Sequence, residues 1–146
     1  MILNKSNRVL FEKDGCIIIF TGKVELGQGV RHSFSLICSR ELSVSLEQVI
    51  VVCGDTLFTT NEGITAGSLT IETAGRKLRD ELRNIKLELL KRAENRLRAS
   101  KNQIIAHSGM FFLSKSPNLK VGYWDLLTKE EQRLSEGITK KSHNQH

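Results

Sequence analysis

A single proline, three cysteines and an aromatic share of only 5% are the scarcities that first bound this 146-residue chain. With Pro117 as the sole proline, almost the whole length is free to enter helices and strands. Cys16, Cys38 and Cys53 are odd in number and form no C-x-x-C pair, so neither a disulfide framework nor a zinc site is signalled. Each sits among apolar residues, and buried, inert thiols are expected. The four histidines are scattered and form no metal-ligand set. No apolar run approaches the roughly 18 residues of a membrane span. Met1-Ile2-Leu3-Asn4-Lys5 turns polar too quickly for a signal peptide, which makes the cytoplasm the expected compartment. There is no G-x-x-x-x-G-K-[ST], so a phosphate-loop NTPase is excluded, and no G-x-G-x-x-G supports a dinucleotide-binding site. No Ser-His-Asp or Cys-His arrangement can be argued from the spacings.

What is present begins with charge. The formal net charge is +6, and the segment from Arg76 to Lys101 carries ten basic and four acidic residues, which accounts for the whole excess. A nucleic-acid binder is one reading of such a segment. These charges interleave with an apolar stripe, however, and the few aromatics lie outside the stretch, so a solvated helix face or one meeting an acidic partner is favoured.

The chain is long enough for one domain with a real core. Cys16-Ile17-Ile18-Ile19-Phe20 reads as a buried strand. Val30, Phe34, Ile37, Cys38 and Leu42 then recur at helical spacing. Ser45-Leu46-Glu47-Gln48 has capping-box form over a single turn, and Val49-Ile50-Val51-Val52-Cys53 is a second buried strand. This succession is compatible with a parallel β-α-β unit. From Ser68 a helix of about thirty residues is expected, with Leu78, Leu82, Ile85, Leu89, Ala93 and Leu97 as its buried stripe. Gly75 inside it suggests close packing against another backbone. Small strands follow near Ile104-Ile105, Met110 to Leu113 and Leu119 to Val121, with turns at Gly109 and at Ser116-Pro117-Asn118. Tyr123-Trp124-Asp125-Leu126-Leu127 begins a short helix, and a frayed polar tail, with His143 and His146 in it, is expected from 137. No internal repeat is evident. The fold class is α/β: a β-α-β unit, a long helix and a small C-terminal hairpin.

Two glycine-spaced turns carry the chemistry. Gly22-Lys23-Val24-Glu25-Leu26-Gly27-Gln28-Gly29 leads from the first strand into a helix, and Asn61-Glu62-Gly63-Ile64-Thr65-Ala66-Gly67-Ser68 leads into the long one. Helix starts of this kind present free N–H groups to an anion. Gln28 can donate and accept at once without adding charge, which suits a ligand oxygen; a turn glutamine that faces water is the plain alternative. Thr65, Ser68 and Thr70 offer hydroxyls beside those amides, or ordinary N-capping. Glu25, Asp55 and Glu62 are the candidate acids or bases, each equally at home as a solvated or capping carboxylate.

Taken together, Gly22 to Arg31, Glu41-Leu42, Glu47-Gln48-Val49, Gly54-Asp55-Thr56, Asn61 to Ser68 and Gly122 to Leu127 resemble, in order, part of the large subunit of molybdenum hydroxylases. That family includes xanthine dehydrogenase and aldehyde oxidase, and the likeness is strongest to the isoquinoline 1-oxidoreductase type. The resemblance covers roughly residues 10 to 130. It implies a partial molybdopterin-binding domain over 1–136 and a polar tail over 137–146. It further implies a molybdopterin-type molybdenum cofactor, with the cytosine dinucleotide form as the candidate variant. Leu26, Gly27 and Gln28 would approach that cofactor from the first turn, and Thr65, Gly67, Ser68, Leu69 and Thr70 from the second. The metal would be held by the pterin dithiolene, so no protein ligand to it is required.

The family's reaction is hydroxylation of an aldehyde or N-heterocycle. Its general base is a glutamate in a Gly-x-Gly-Glu context, a motif this sequence does not contain. The iron–sulfur cysteine motifs are absent as well. The chain is therefore expected to be one slice of a catalytic subunit, with no catalytic residue of its own and no activity alone. The remainder of that subunit and an iron–sulfur subunit would be its partners. A non-catalytic interaction or assembly module that keeps the fold is the alternative, with a basic nucleic-acid binder behind it.

Overall fold

A computed structural model describes residues 9–20, 28–52 and 68–144. Strand β1 (Val9–Phe11) pairs antiparallel with β2 (Ile17–Phe20). Helix α1 (Gln28–Leu42) carries the chain to β3 (Val49–Val52), which lies parallel to β2 and completes a sheet of order β1-β2-β3. Helix α2 (Ser68–Leu97) follows, then an antiparallel meander of β4 (Ile104–His107), β5 (Met110–Leu113) and β6 (Ser116–Gly122). Helices α3 (Tyr123–Leu126) and α4 (Lys129–Asn144) close the described chain. The expected β-α-β unit, long helix and hairpin are all present.

Helix α2 is the spine. Its residues Leu78, Leu82, Ile85, Leu89 and Ala93 are buried, while Leu97 at its end is only partly covered. Phe34, Cys38 and Leu42 of α1 supply the facing side of the core. Gly75 meets side chains rather than backbone: an added Cβ would lie 3.6 Å from Ile37 Cδ1 and 3.9 Å from Phe34 Cε1. Further along, Arg83 binds Glu41 at 3.1 Å and Lys86 donates to Ser43 Oγ at 2.9 Å. Contacts thus advance along both helices in the same sense, so α1 and α2 run parallel and start toward the same end of the domain.

The structure corrects several expectations. Val9-Leu10-Phe11, unassigned from sequence, forms β1 and is fully buried. The expected buried strand at Val49 is an edge strand among the described residues, and Ile50 is 44% exposed. Pro117 lies within β6, not in a turn; β6 is the outer strand of its sheet, where a missing N–H costs no ladder bond. The turn falls instead at Ser114-Lys115. The segment from 137 is helical to Asn144 as the continuation of α4.

A repeated local unit also emerges. Each of α1 and α2 ends in a left-handed residue, Ser43 at φ 54° and Arg98 at φ 53°. In each case the next amide bonds back into the helix, Val44 to Ser39 and Ala99 to Glu94. A Ser-x-x-Gln box then makes one 3₁₀ turn before β3 or β4, with the glutamine returning to the serine amide at 2.9 Å in the first unit and 3.1 Å in the second.

In the first unit the glutamine does more. Gln48 Nε2 donates to Gly15 O at 3.2 Å and to Ser108 O at 3.3 Å, joining the β1–β2 turn to the β4–β5 turn. Gly15 and Gly109 hold φ of +98° and +82°, and a Cβ on either would press on this amide at 3.4 Å. Gln48→Ala should lower stability by about 1–3 kcal/mol, since two turn carbonyls and a serine amide lose their partner. A fall in the urea midpoint at unchanged slope checks this.

Candidate cofactor site

The parallel pair β2 and β3 sets the location. In α/β units, ligands gather outside the carboxyl ends of parallel strands, where loops turn into helix starts. Here β2 ends at Phe20 and β3 at Val52; the first glycine turn follows β2 directly in sequence, and the second, from Asn61, comes between β3 and α2. Of the anticipated site residues, Leu26, Gly27, Thr65 and Gly67 lie outside the described residues, as do Glu25, Asp55 and Glu62. Gln28 is the first residue of α1, and Ser68, Leu69 and Thr70 open α2. The structure therefore places both helix starts at the end where the parallel strands terminate.

One side chain fixes this arrangement. Arg31, in the first turn of α1, donates from NH1 to Val51 O at 3.1 Å, pinning the helix start to the end of β3. Gly29, two residues earlier and on the other side of the helix, faces open space, with no atom within 4 Å of a would-be Cβ. Arg31 appears in the first sequence motif but received no role there. The signal was a cation one turn past Gly-Gln-Gly, at a point where the helix dipole already favours an anion.

A bound molybdopterin-type group would bring anionic phosphate and dithiolene to this end. The first-turn amides of two helix starts form a donor set that fits such a group, and the Arg31 guanidinium adds positive charge at the same end. Among the described residues, the acidic side chains with resolved partners lie elsewhere. Glu41 pairs with Arg83 near the end of α1, and Glu131 pairs with Arg92 at the start of α4.

The two described thiols, Cys16 and Cys38, are set apart from this end. Cys38 is fully buried, and burial pushes its thiol up to about 12. Cys16 is half-buried beside Glu12 and Asp14; partial burial and then the Asp14 charge push its thiol up, so it stays protonated at neutral pH. Cys53 lies outside the described residues. On α2, Lys86 and Arg92 reach Ser43 and Glu131 within the fold, which removes two of the ten cations from any outward-facing surface, while Arg83 pairs with Glu41 but stays exposed. No helix among the described residues is long and apolar enough to cross a membrane.

The sequence of residues 2–143 matches the family model described as molybdopterin cofactor-binding domain. The chain belongs to the molybdopterin cofactor-binding domain family. A subunit of nicotinate dehydrogenase from Pseudomonas putida is 32% identical over 106 residues, spanning 73% of this chain and 9% of that protein. Among solved structures, CO dehydrogenase from Oligotropha carboxidovorans aligns over 81% of this chain and 15% of its own, with a TM-score of 0.64 and 22% identity. Quinoline 2-oxidoreductase from Pseudomonas putida 86 aligns over the same shares, with a TM-score of 0.61 and 19% identity. The resemblance to a molybdenum hydroxylase large subunit is borne out, and so is the mixed α/β class. This molybdopterin-binding domain spans about a tenth of the length of the curated relative it matches.

Proposed function

We propose that this chain holds a molybdopterin-type molybdenum cofactor where α1 and α2 start, as one segment of an oxidoreductase that hydroxylates aldehydes or N-heterocycles. The observation that carries the reading is the shared position of both helix starts at the carboxyl ends of the parallel strands. When bound, the cofactor supplies the redox-active metal for the reaction. The chain's own share is binding and orientation. First-turn amides of α1 and α2 hold anionic oxygens, and Gln28 offers a neutral amide that donates and accepts at once. Leu26, Gly27, Thr65, Gly67, Ser68, Leu69 and Thr70 line the same two turns. The sequence holds no Gly-x-Gly-Glu glutamate, so the chain alone is inactive and the base comes from the remainder of the subunit. An iron–sulfur subunit receives the electrons. The cytosine dinucleotide variant is the proposed form of the pterin, and the cytoplasm the proposed compartment.

The test is molybdenum and pterin content of the chain, purified from a host that makes the cofactor, beside Gln28→Ala. We expect cofactor in the parent chain and a loss of about 2- to 10-fold in affinity in the variant, the worth of one hydrogen bond. A folded parent chain with no cofactor would overturn the reading in favour of an assembly module that keeps the fold.

A further inference from the structure

At the end of the domain away from the two helix starts lies an aromatic-walled groove. The β1–β2 turn, the start of β3 and the β4–β5 turn meet there, joined by Gln48. Trp124 of α3 lines two adjoining cavities of about 380 and 370 Å3, and both also touch Phe11 and turn residues 12–14. Phe11 is buried and Trp124 half-buried, so these walls are apolar. The rim is acidic. Glu136 of α4 borders the first cavity and Asp125 of α3 the second. Glu12 and Asp14 border both, with carboxylate oxygens within 4.8 Å of each other. Lys13 is the one cation among the described lining residues, so four carboxylates are set against one ammonium. In a chain of net charge +6, that local excess runs against the overall field. Asp125 and Glu136 are exposed and make no ion pair among the described residues.

We propose that this groove docks a basic segment of a partner polypeptide, with an arginine or lysine side chain laid across Trp124 and its head group held by Asp125 or Glu136. The indole face and the carboxylates attract a cation together, and the aliphatic stem of such a side chain covers the apolar wall. Charge complementarity selects this occupant. An acidic segment would meet like charge, and a purely apolar one would cover the carboxylates without pairing them. Solved relatives are far longer than this chain, which covers 15% of theirs, and polypeptide of that length can supply the segment. The groove lies apart from the cofactor end, so the inference stands whether or not the chain holds cofactor.

Trp124 is the only tryptophan, and its emission therefore reports on this groove alone. The full chain is titrated with capped tri-arginine and, separately, with capped tri-glutamate, each at low and high salt. Tri-arginine should change the emission in a saturable way, with affinity falling several-fold at high salt. The double variant Asp125→Asn/Glu136→Gln should bind it about 10-fold less tightly at an unchanged melting temperature, because both side chains are exposed. Tri-glutamate should leave the emission unchanged, although the positive chain as a whole attracts it more. Equal responses to the two peptides, no saturable response to tri-arginine, or full affinity in the double variant would overturn the proposal. Emission that shifts with chain concentration before any peptide is added would overturn it too, by naming a second copy as the occupant.

Discussion

Arg92→Met should destabilise the domain by about 3–5 kcal/mol, a large share of the roughly 5–15 kcal/mol that holds a domain folded. The reason lies at the start of α4. Glu131 is fully buried, and its carboxylate accepts from Arg92 NH1 at 2.6 Å and from the Thr128 amide at 2.8 Å. Thr128 Oγ1 in turn accepts from the Glu131 amide at 3.1 Å, closing a capping box. Arg92 also donates to Leu126 O at 3.1 Å and pairs with Glu88 at 3.4 Å, so one guanidinium joins α2, α3 and α4. Hydrogen bonding to Glu131 raises its pKa despite some burial. Removing it strands a buried carboxylate, and that penalty exceeds the net worth of the pair itself. The double variant Arg92→Met/Glu131→Gln should therefore recover much of the loss, since glutamine keeps the capping box without the charge. Urea melts of the two singles and the double settle this through the interaction energy. Additive losses would contradict the account.

Raising the pH from 8 to 11 should remove roughly 2–3 kcal/mol of stability through the buried Cys38 thiol, with Tyr123 adding to the loss above pH 10. Burial pushes the Cys38 thiol from 9.0 up to about 12. Burial, and then the nearby Cys38, push the Tyr123 phenol upward from 10.0. Both are acids kept neutral by the fold. Between pH 9 and about 12 the unfolded chain loses the Cys38 proton while the folded chain keeps it, so stability is complete below 9 and falls above it. Tyr123 adds its share from pH 10 upward. Its hydroxyl donates to Leu42 O at 2.5 Å, and its ring packs edge-on against Phe11 and tilted against Phe111, so ionising it disrupts a joint between both sheets and α1. Cys38→Ala should move the onset of the decline from about 9 to about 10. A urea midpoint that stays flat to pH 11 would contradict the assignment.

How much of this was legible in the sequence depended on what held each element. The α2 stripe was plain because packing alone anchors it, and packing writes a helical period into the apolar residues. Helix α4 was missed because its fixed point is Glu131, a charged residue that hydropathy assigns to solvent. Among its described side chains, Leu134 alone packs on the core as a partly buried hydrophobic. Strand β1 was missed because three apolar residues carry no period. Pro117 misled because turn propensity takes no account of an outer strand. The repeated capping unit escaped notice because its common part is Ser-x-x-Gln and a left-handed residue that is a serine in one copy and an arginine in the other. At the site, glycine spacing located both helix starts, since few other patterns turn a strand directly into a helix. It gave no hint of Arg31, whose role depends on a carbonyl twenty residues away.

The central claim is that the cofactor sits where α1 and α2 begin. Amide hydrogen exchange of the chain with and without bound cofactor tests this most directly. The account expects slowed exchange in the first turns of α1 and α2, around Gln28 to Arg31 and from Ser68 onward, with the β4–β5–β6 meander unchanged. Protection concentrated in the meander, or around Phe11 to Gly15 and Trp124, which line a separate cavity, would contradict it.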